Sequence, residues 1–492
     1  MLDTCKVVLV NQRKPRFAGS PPNYGLSYLS SYYRLHGKFH DRVRFVMADE
    51  NTGAGNALDV ILKESPDIVG ISSTSMFIDL CVDLAMAVRK HCPRTVIIGG
   101  GVHFHLYPTY LIKERVFDYV CTGEGEIVFC QFLDAYIEQG GGPDSATMSK
   151  IRGMSYMDGD VVQQAAPPPI VDATEIPDPD LDLLDVNHYF SRRTAYGRSH
   201  FGRCASLVTS RGCPFACAFC YNNLRKTPVR YISAERVVGL MRLYAERFKT
   251  QYFDFSDDLF LGDKKRVEVI CRMLLADGPK VSWACNGRAE LIKEGDRDLL
   301  ELMQKAGCIQ MQFGFESGSD RIIKILKGKS ASVAGNQRAL DHVRAAGIDV
   351  AGYFMVGVPS EKPEDVENTK AFIAANRGKI LQGEVFVFTP VPGTALWETC
   401  KADGLLEDVD LSKMCLNIFS EDPAQVRVFS RTLSKEEVVR YRLSMKHLLY
   451  QNLPVKMKLL WAISMIGRNP WLVIRRLSGY AKASILTRQR LL

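Results

Sequence analysis

The 492-residue sequence lacks any apolar run long enough to cross a bilayer, although 46% of it is hydrophobic. No secretory leader is expected either. Met1-Leu2-Asp3-Thr4-Cys5 passes straight into the strand-like Lys6-Val7-Val8-Leu9-Val10. Its 14 cysteines are therefore expected to stay reduced, which argues against a disulfide scaffold and for a cytoplasmic protein. Acidic residues are scarce at one end: from Arg427 onward there are 14 Lys and Arg against Glu436 and Glu437 alone. A basic end on a slightly acidic body suits an anionic partner, and equally a solvated helical face. The remaining composition is that of an ordinary globular chain long enough for two or three domains.

Cysteine is concentrated in one stretch, Arg211-Gly212-Cys213-Pro214-Phe215-Ala216-Cys217-Ala218-Phe219-Cys220-Tyr221. The spacing Cys-x-x-x-Cys-x-x-Cys points to metal, and thiolate is a soft donor that suits iron-sulfur clusters. A four-iron cluster is normally held by four cysteines, and here the fourth is missing. The nearest others, Cys204 and Cys285, lie outside the loop. Three thiolates from Cys213, Cys217 and Cys220 would leave one iron open to a ligand. A zinc knuckle short of one ligand, or a group of core cysteines, is the plainer alternative.

At these residues the chain resembles the radical S-adenosylmethionine (radical SAM) superfamily, whose defining motif has this spacing with an aromatic before the last cysteine, as in Phe219. The resemblance implies a [4Fe-4S] cluster whose open iron is chelated by SAM. An electron from the cluster then yields methionine and a 5'-deoxyadenosyl radical, which abstracts hydrogen from an unactivated carbon.

Residues 1–138 alternate short apolar runs with helix-like segments, the pattern of a doubly wound, Rossmann-like parallel sheet with ligands beyond the carboxyl ends of its strands. Glycines fall at those ends, in Gly99-Gly100-Gly101-Val102-His103 and Thr122-Gly123-Glu124-Gly125-Glu126. Either cluster alone could serve a tight turn. With Pro21-Pro22-Asn23-Tyr24-Gly25-Leu26 and Ser72-Ser73-Thr74-Ser75 they look like the cobalamin-binding domain that precedes the barrel in one branch of the superfamily. That resemblance implies cofactor contacts from Ser72, Ser73, Thr74, Gly99, Gly100, Gly101, Gly123 and Glu124. It departs from the family in one respect: an Asp-x-His-x-x-Gly motif supplies a cobalt ligand in many such domains, and Asn11 to Leu26 contains no histidine. The benzimidazole tail is then expected in the pocket of Ser72 to Ser75 and Gly99 to Gly101. His103 is expected to be a hydrogen-bonding residue rather than a ligand.

Residues 139–201, broken by Gly140-Gly141-Gly142 and Pro167-Pro168-Pro169, read as a linker with a small hairpin over Ile151 to Val162. Residues 202–425 follow as six strand and helix units, with strands expected at Ala205 to Thr209, Gln251 to Phe255, Val281 to Cys285, Ile309 to Phe315, Val350 to Val356 and Glu384 to Phe388. They suggest an open, partial (β/α)6 barrel with its active groups at the carboxyl ends of the strands. There the resemblance assigns Asp257 and Asp258 to the SAM amino group, Arg288 and Glu316 to its carboxylate, its ribose or the floor of the site, and Gly357 to adenine. Carboxylates for an ammonium and a guanidinium for a carboxylate make chemical sense. Helix capping by the paired acids is the alternative.

Residues 426–492 read as helical, with Trp, Leu and Ile among Lys456, Lys458, Arg468, Arg475, Arg476 and Lys482. Such a stretch lies on an anionic membrane face or packs on the barrel mouth. The whole points to a cobalamin-dependent radical SAM methyltransferase acting on an unactivated carbon through methylcobalamin. Its expected substrate is a small lipid, tetrapyrrole or natural-product intermediate, and its expected reductant a flavodoxin or ferredoxin. Peripheral contact with the inner membrane face is expected, and nucleic acid is not. Radical oxidation, cyclisation or rearrangement without methyl transfer is the second reading, and a non-catalytic iron-sulfur or cobalamin sensor the third. No second cysteine triad is present to support methylthiolation.

Overall fold

The computed structural model describes residues 2–12, 22–49, 56–164, 166–190, 202–225, 227–407, 409 and 426–452. The basic stretch 456–492, most of the first loop and the end of the linker lie outside the described residues.

The first domain is built on β1 (Cys5–Asn11), β2 (Val43–Asp49), β3 (Ile68–Ser72), β4 (Val96–Gly100), β5 (Tyr119–Cys121), β6 (Met154–Asp158) and β7 (Val161–Gln163). They form one sheet in the order β2-β1-β3-β4-β5-β6-β7, parallel from β2 to β5. Successive residues of a strand face opposite ways, so an unbroken apolar strand implies cover on both sides. Val7 and Leu9 pack under the helices Tyr24–His36 and Gly125–Gln139. Val8 and Val10 enter the opposite core, with Ile61, Ile78 and Phe104. The doubly wound expectation holds. The hairpin expected around Asp158-Gly159 also forms, but β6 adds antiparallel to β5, so part of the stretch read as linker belongs to the first sheet.

Beyond β8 (Arg203–Leu207), the short strands β9 (Ser210–Arg211) and β10 (Arg230–Tyr231) pair antiparallel. The barrel continues through β11 (Thr250–Phe255), β12 (Ser282–Gly287), β13 (Cys308–Glu316), β14 (Asp349–Val356) and β15 (Ile380–Val387). Their order, β15-β14-β13-β12-β11-β8, is parallel throughout and open between β15 and β8. Phe253, Phe255, Trp283, Met311, Phe313, Val350 and Val385 join the buried core between the sheet and its helices. The alternate residues, among them Asp254, Asn286, Gln312 and Tyr353, line the inner face. The sheet's exposed edge at β15 is covered by the helix Lys435–Asn452, where Arg442 Nε donates to the Val385 carbonyl at 2.9 Å and Lys446 pairs with Glu384 at 3.3 Å.

Trp283 shows what holds the barrel. Its side chain is fully buried, its indole N–H donates to the Ala306 carbonyl at 2.9 Å, and its ring packs on Phe255 and Phe260. Trp283→Ala is expected to cost about 3–5 kcal/mol, because the cavity cannot collapse around a sheet. A thermal melt of the variant should show an earlier barrel transition with the first domain's secondary structure retained.

Candidate active site

The cysteine loop springs from the β9–β10 clasp. Gly212 turns the chain with φ 88°, and a Cβ there would sit 3.0 Å from the Pro228 carbonyl. Downstream, Ala218 N donates to the Leu326 carbonyl at 2.8 Å, and the Ala218 carbonyl accepts from Leu396 N at 3.1 Å. The loop is thus tied to two barrel helices. Cys217 is buried, while Cys213 and Cys220 are half-buried. Burial pushes the Cys220 thiol up to about 11 and the Cys213 thiol up as well. Both thiols would have to lose their protons to bind metal. Among the described residues no three His, Cys, Asp or Glu side chains are gathered to hold a single ion. Three soft donors on one short loop suit a cubane, in which each thiolate binds its own iron. Cys204 and Cys285 supply no fourth thiolate, being buried within β8 and β12.

Behind the loop lies a compact set of charges. Arg288 Nη1 donates to Cys217 Sγ at 2.9 Å, and its guanidinium lies over the Phe215 ring at 3.8 Å. Its Nη2 is 3.0 Å from Glu290 and donates to the Lys327 carbonyl at 3.3 Å. Lys327 in turn sits 3.6 Å from Glu290 and donates to the Gly314 carbonyl at 2.7 Å. Glu316 adopts a left-handed φ of 64°, rare for a residue with a side chain and typical of functional sites. Burial holds its carboxyl above the ordinary value, partly offset by Lys327 and Arg288. Arg288 Nε is buried without a hydrogen-bond partner among the described residues. That orphan donor beside the loop suits a ligand carboxylate such as that of SAM.

The paired acids part company. Asp257 is fully buried and accepts from Thr209 N at 2.5 Å, Thr209 Oγ1 at 2.6 Å and Ser210 N at 3.0 Å. It braces the chain just ahead of the cysteine loop. Asp258 is exposed and lines a cavity of about 350 Å³ between the two domains. Gly357 (φ 88°) stands apart from that cavity. Its amide donates at 2.6 Å to Glu361, whose buried carboxyl is pushed up to about 7.

From the first domain, Ser72, Gly99, Gly100, Gly101, Gly123 and Glu124 reach the same cavity. Ser73 and Thr74 are outside its lining; Ser73 N donates to the Gly100 carbonyl at 2.9 Å, and Ser73 Oγ to the Thr74 carbonyl at 2.9 Å. The glycines serve different ends. A Cβ on Gly99 would strike the Phe104 ring at 2.3 Å, and one on Gly101 the Ser73 carbonyl at 2.8 Å. A Cβ on Gly100 would meet nothing within 4 Å. Gly100 thus presents bare backbone to open space, the cradle a large cofactor needs. His103 is fully buried, its ring nitrogens 3.0 Å from Ser75 Oγ and 3.0 Å from Tyr110 OH, and burial pushes it down to about 4. Both nitrogens are spent on neighbours, as expected of a hydrogen-bonding histidine.

Glu124 also has a role that the sequence did not reveal. It pairs with Arg230 at 2.5 Å and with Arg211 at 3.4 Å, while Glu126 pairs with Arg211 at 2.6 Å. Arg211 further stacks on Tyr28, its guanidinium 5.1 Å from the ring centre. Burial alone would depress Arg211, but Glu126 and Glu124 outweigh it and hold the guanidinium above its ordinary value. These pairs join the first domain's glycine edge to the residue preceding Gly212.

Residues 16–133 match the model of the B12 binding domain and residues 207–373 that of the radical SAM superfamily. An uncharacterized methyltransferase of Pyrococcus horikoshii is 31% identical over 391 residues, covering 78% of this chain and 80% of that protein. The chain belongs to the radical SAM superfamily. With its B12 binding domain it is a cobalamin-dependent member, whose cofactors are a [4Fe-4S] cluster, SAM and cobalamin. An anaerobic magnesium-protoporphyrin IX monomethyl ester cyclase of Cereibacter sphaeroides is 26% identical over 357 residues, covering 72% of this chain and 56% of the cyclase. The radical SAM methyltransferase TsrM of Kitasatospora setae, with cobalamin and a [4Fe-4S] cluster bound, has the same fold. It matches at a TM-score of 0.65 and 18% identity over 90% of this chain and 91% of its own.

The inner face of the barrel adds a third group unseen in the sequence, because it is assembled from three strands. Tyr353 OH donates to Gln312 Oε1 at 2.7 Å, and Gln312 Nε2 to Asp254 at 3.3 Å. Burial pushes the Asp254 carboxyl up to about 6 from its ordinary 3.8. Its proton is held more tightly folded than unfolded, so the native state loses stability as pH rises from 3.8 through about 6. Asp254→Asn should therefore stabilise the protein at pH above that window and give no gain below it, read by melts across pH. Glu124→Ala is expected to cost about 3–5 kcal/mol by stranding Arg230 and weakening the hold on Arg211. Limited proteolysis should then cut the connection between the domains faster than in the parent chain.

Proposed function

We propose that this chain is a cobalamin-dependent methyltransferase that alkylates an unactivated carbon of a small substrate held between its two domains. One observation carries the reading: Gly100 of the first domain and Gly212 and Asp258 of the barrel open on a single cavity. When bound, the cluster supplies the electron that splits SAM, and cobalamin carries the methyl group. The chain's part is position. Cys213, Cys217 and Cys220 would hold the cluster, Asp258 would take the SAM ammonium and Arg288 Nε its carboxylate. Tyr24, Tyr28 and Phe129 line the cavity and exclude water. Asp257 supports the site from behind rather than meeting SAM, and Gly357 reaches adenine only beyond the cavity described.

Relatives named as methyltransferases support methyl transfer, among them the cytidylyl-2-hydroxyethylphosphonate methyltransferase of Streptomyces wedmorensis, 25% identical over 377 residues. The cyclase relatives favour a second reading, radical oxidation or ring closure without methyl transfer. The hopanoid C-3 methylase of Methylococcus capsulatus, 24% identical over 338 residues, supports a lipid substrate, and the cyclase relatives a tetrapyrrole. A flavodoxin or ferredoxin is the proposed electron donor. Every cysteine among the described residues is a free thiol, which supports a cytoplasmic setting. No helix among the described residues is long and apolar enough to cross a membrane.

Anaerobic incubation of reconstituted protein with cobalamin, dithionite and methyl-deuterated SAM tests the proposal by mass spectrometry. Label recovered on cobalamin, with 5'-deoxyadenosine formed by the parent and lost in Cys217→Ala, is the expected result. Deoxyadenosine without labelled cobalamin favours the second reading. Neither product, with cluster and cobalamin loaded, overturns both.

A further inference from the structure

Arg288 is engaged more heavily than contact with SAM requires. Its exposure is 7%, and the carboxylate it faces, Glu290, is 9% exposed. One end of the guanidinium donates to Cys217 Sγ at 2.9 Å and the other lies 3.0 Å from Glu290. Phe215, between Cys213 and Cys217, lies under its face at 3.8 Å. The fork is therefore held on a sulfur atom by groups on its far side and beneath it.

We propose that Arg288 sets the reduction potential of the cluster by donating to the Cys217 sulfur, with Glu290 as its counterweight. This rests on the reading that Cys213, Cys217 and Cys220 hold the cluster. Reduction adds one electron, supplied by an external low-potential donor, and part of that charge spreads onto the ligating sulfurs. A charged N–H directed at one of those sulfurs stabilises the reduced form and raises the potential. Low local polarity strengthens the effect. The Glu290 carboxylate on the far side works in the opposite sense, so the pair acts as a dipole whose positive end faces sulfur. Lys327, 3.6 Å from Glu290, completes the balance. Arg288 is thus a positioning and tuning residue, whichever substrate the enzyme takes.

Parent, Arg288→Gln, Arg288→Lys and Glu290→Gln proteins, reconstituted anaerobically, would be assayed for iron and sulfide and titrated with dithionite by EPR in the absence of SAM. For Arg288→Gln the reduced-to-oxidised ratio at a fixed potential should fall about tenfold, equal to about 59 mV for a one-electron couple. Arg288→Lys, which keeps the charge, should fall less. Glu290→Gln should move the potential the other way. A purely structural role would lower iron content, or displace all variants in one direction. Unchanged potentials at full iron content, or shifts of one sign, overturn the proposal. If Arg288→Gln does not load, Glu290→Gln decides, since it retains Arg288, and a potential at or below the parent's overturns the inference. The cluster reading fails separately if Cys217→Ala still binds four irons.

Discussion

Two arginines and two glutamates buried across the domain boundary fix the geometry on which the rest depends. Arg211 and Arg230 come from the clasp that carries the cysteine loop, Glu124 from the turn after β5 and Glu126 from the first turn of the helix Gly125–Gln139. Buried charges are costly unless they meet, and they meet only when the domains are docked in one register. The contact therefore specifies orientation more than it adds stability. Tyr24 OH, donating to the Ser206 carbonyl at 2.7 Å, adds a second tie beside it. The cavity between the domains is a consequence of that register.

The same logic of opposed charges recurs behind the cysteine loop. Arg288, Lys327, Glu290 and Glu316 amount to two cations and two carboxylates in a buried space, with Phe215 closing one side. Such a set places cations against carboxyl groups and is locally polar. It can direct donors at sulfur and at a ligand carboxylate without drawing water in. Glu316 achieves its placement by a left-handed backbone at the end of β13, where the register with β14 also shifts. Local irregularity aims a side chain that a regular strand would have turned elsewhere.

Much of the fold could be read from the residues. Strands expected at Gln251 to Phe255 and Val350 to Val356 form within a residue of those bounds, because continuous apolar runs between turn residues leave few alternatives. The strand expected at Glu384 to Phe388 runs instead from Ile380 to Val387, beginning earlier because Leu381 to Gly383 weaken the pattern. The β6–β7 hairpin was visible through Asp158-Gly159, but not its attachment to β5, since pairing of distant strands leaves no local mark. Gly99, Gly100 and Gly101 looked alike in sequence and proved to have different neighbours. Asp257 and Asp258, adjacent in the chain, face buried backbone and open cavity respectively.

The sequence by itself determined the kinds of donor and their local spacing: three thiols on one loop, glycines at strand ends, apolar periodicity that demands two layered sheets. These follow from chemistry confined to a few neighbouring residues. Only the tertiary structure decided which donors share a space. Arg288 reaches Cys217 across 71 positions, and Arg230 reaches Glu124 across 106. Partnerships of that range depend on how sheets twist and domains dock. The energy that selects them, the cost of leaving a buried charge unmatched, does not exist until the chain has folded.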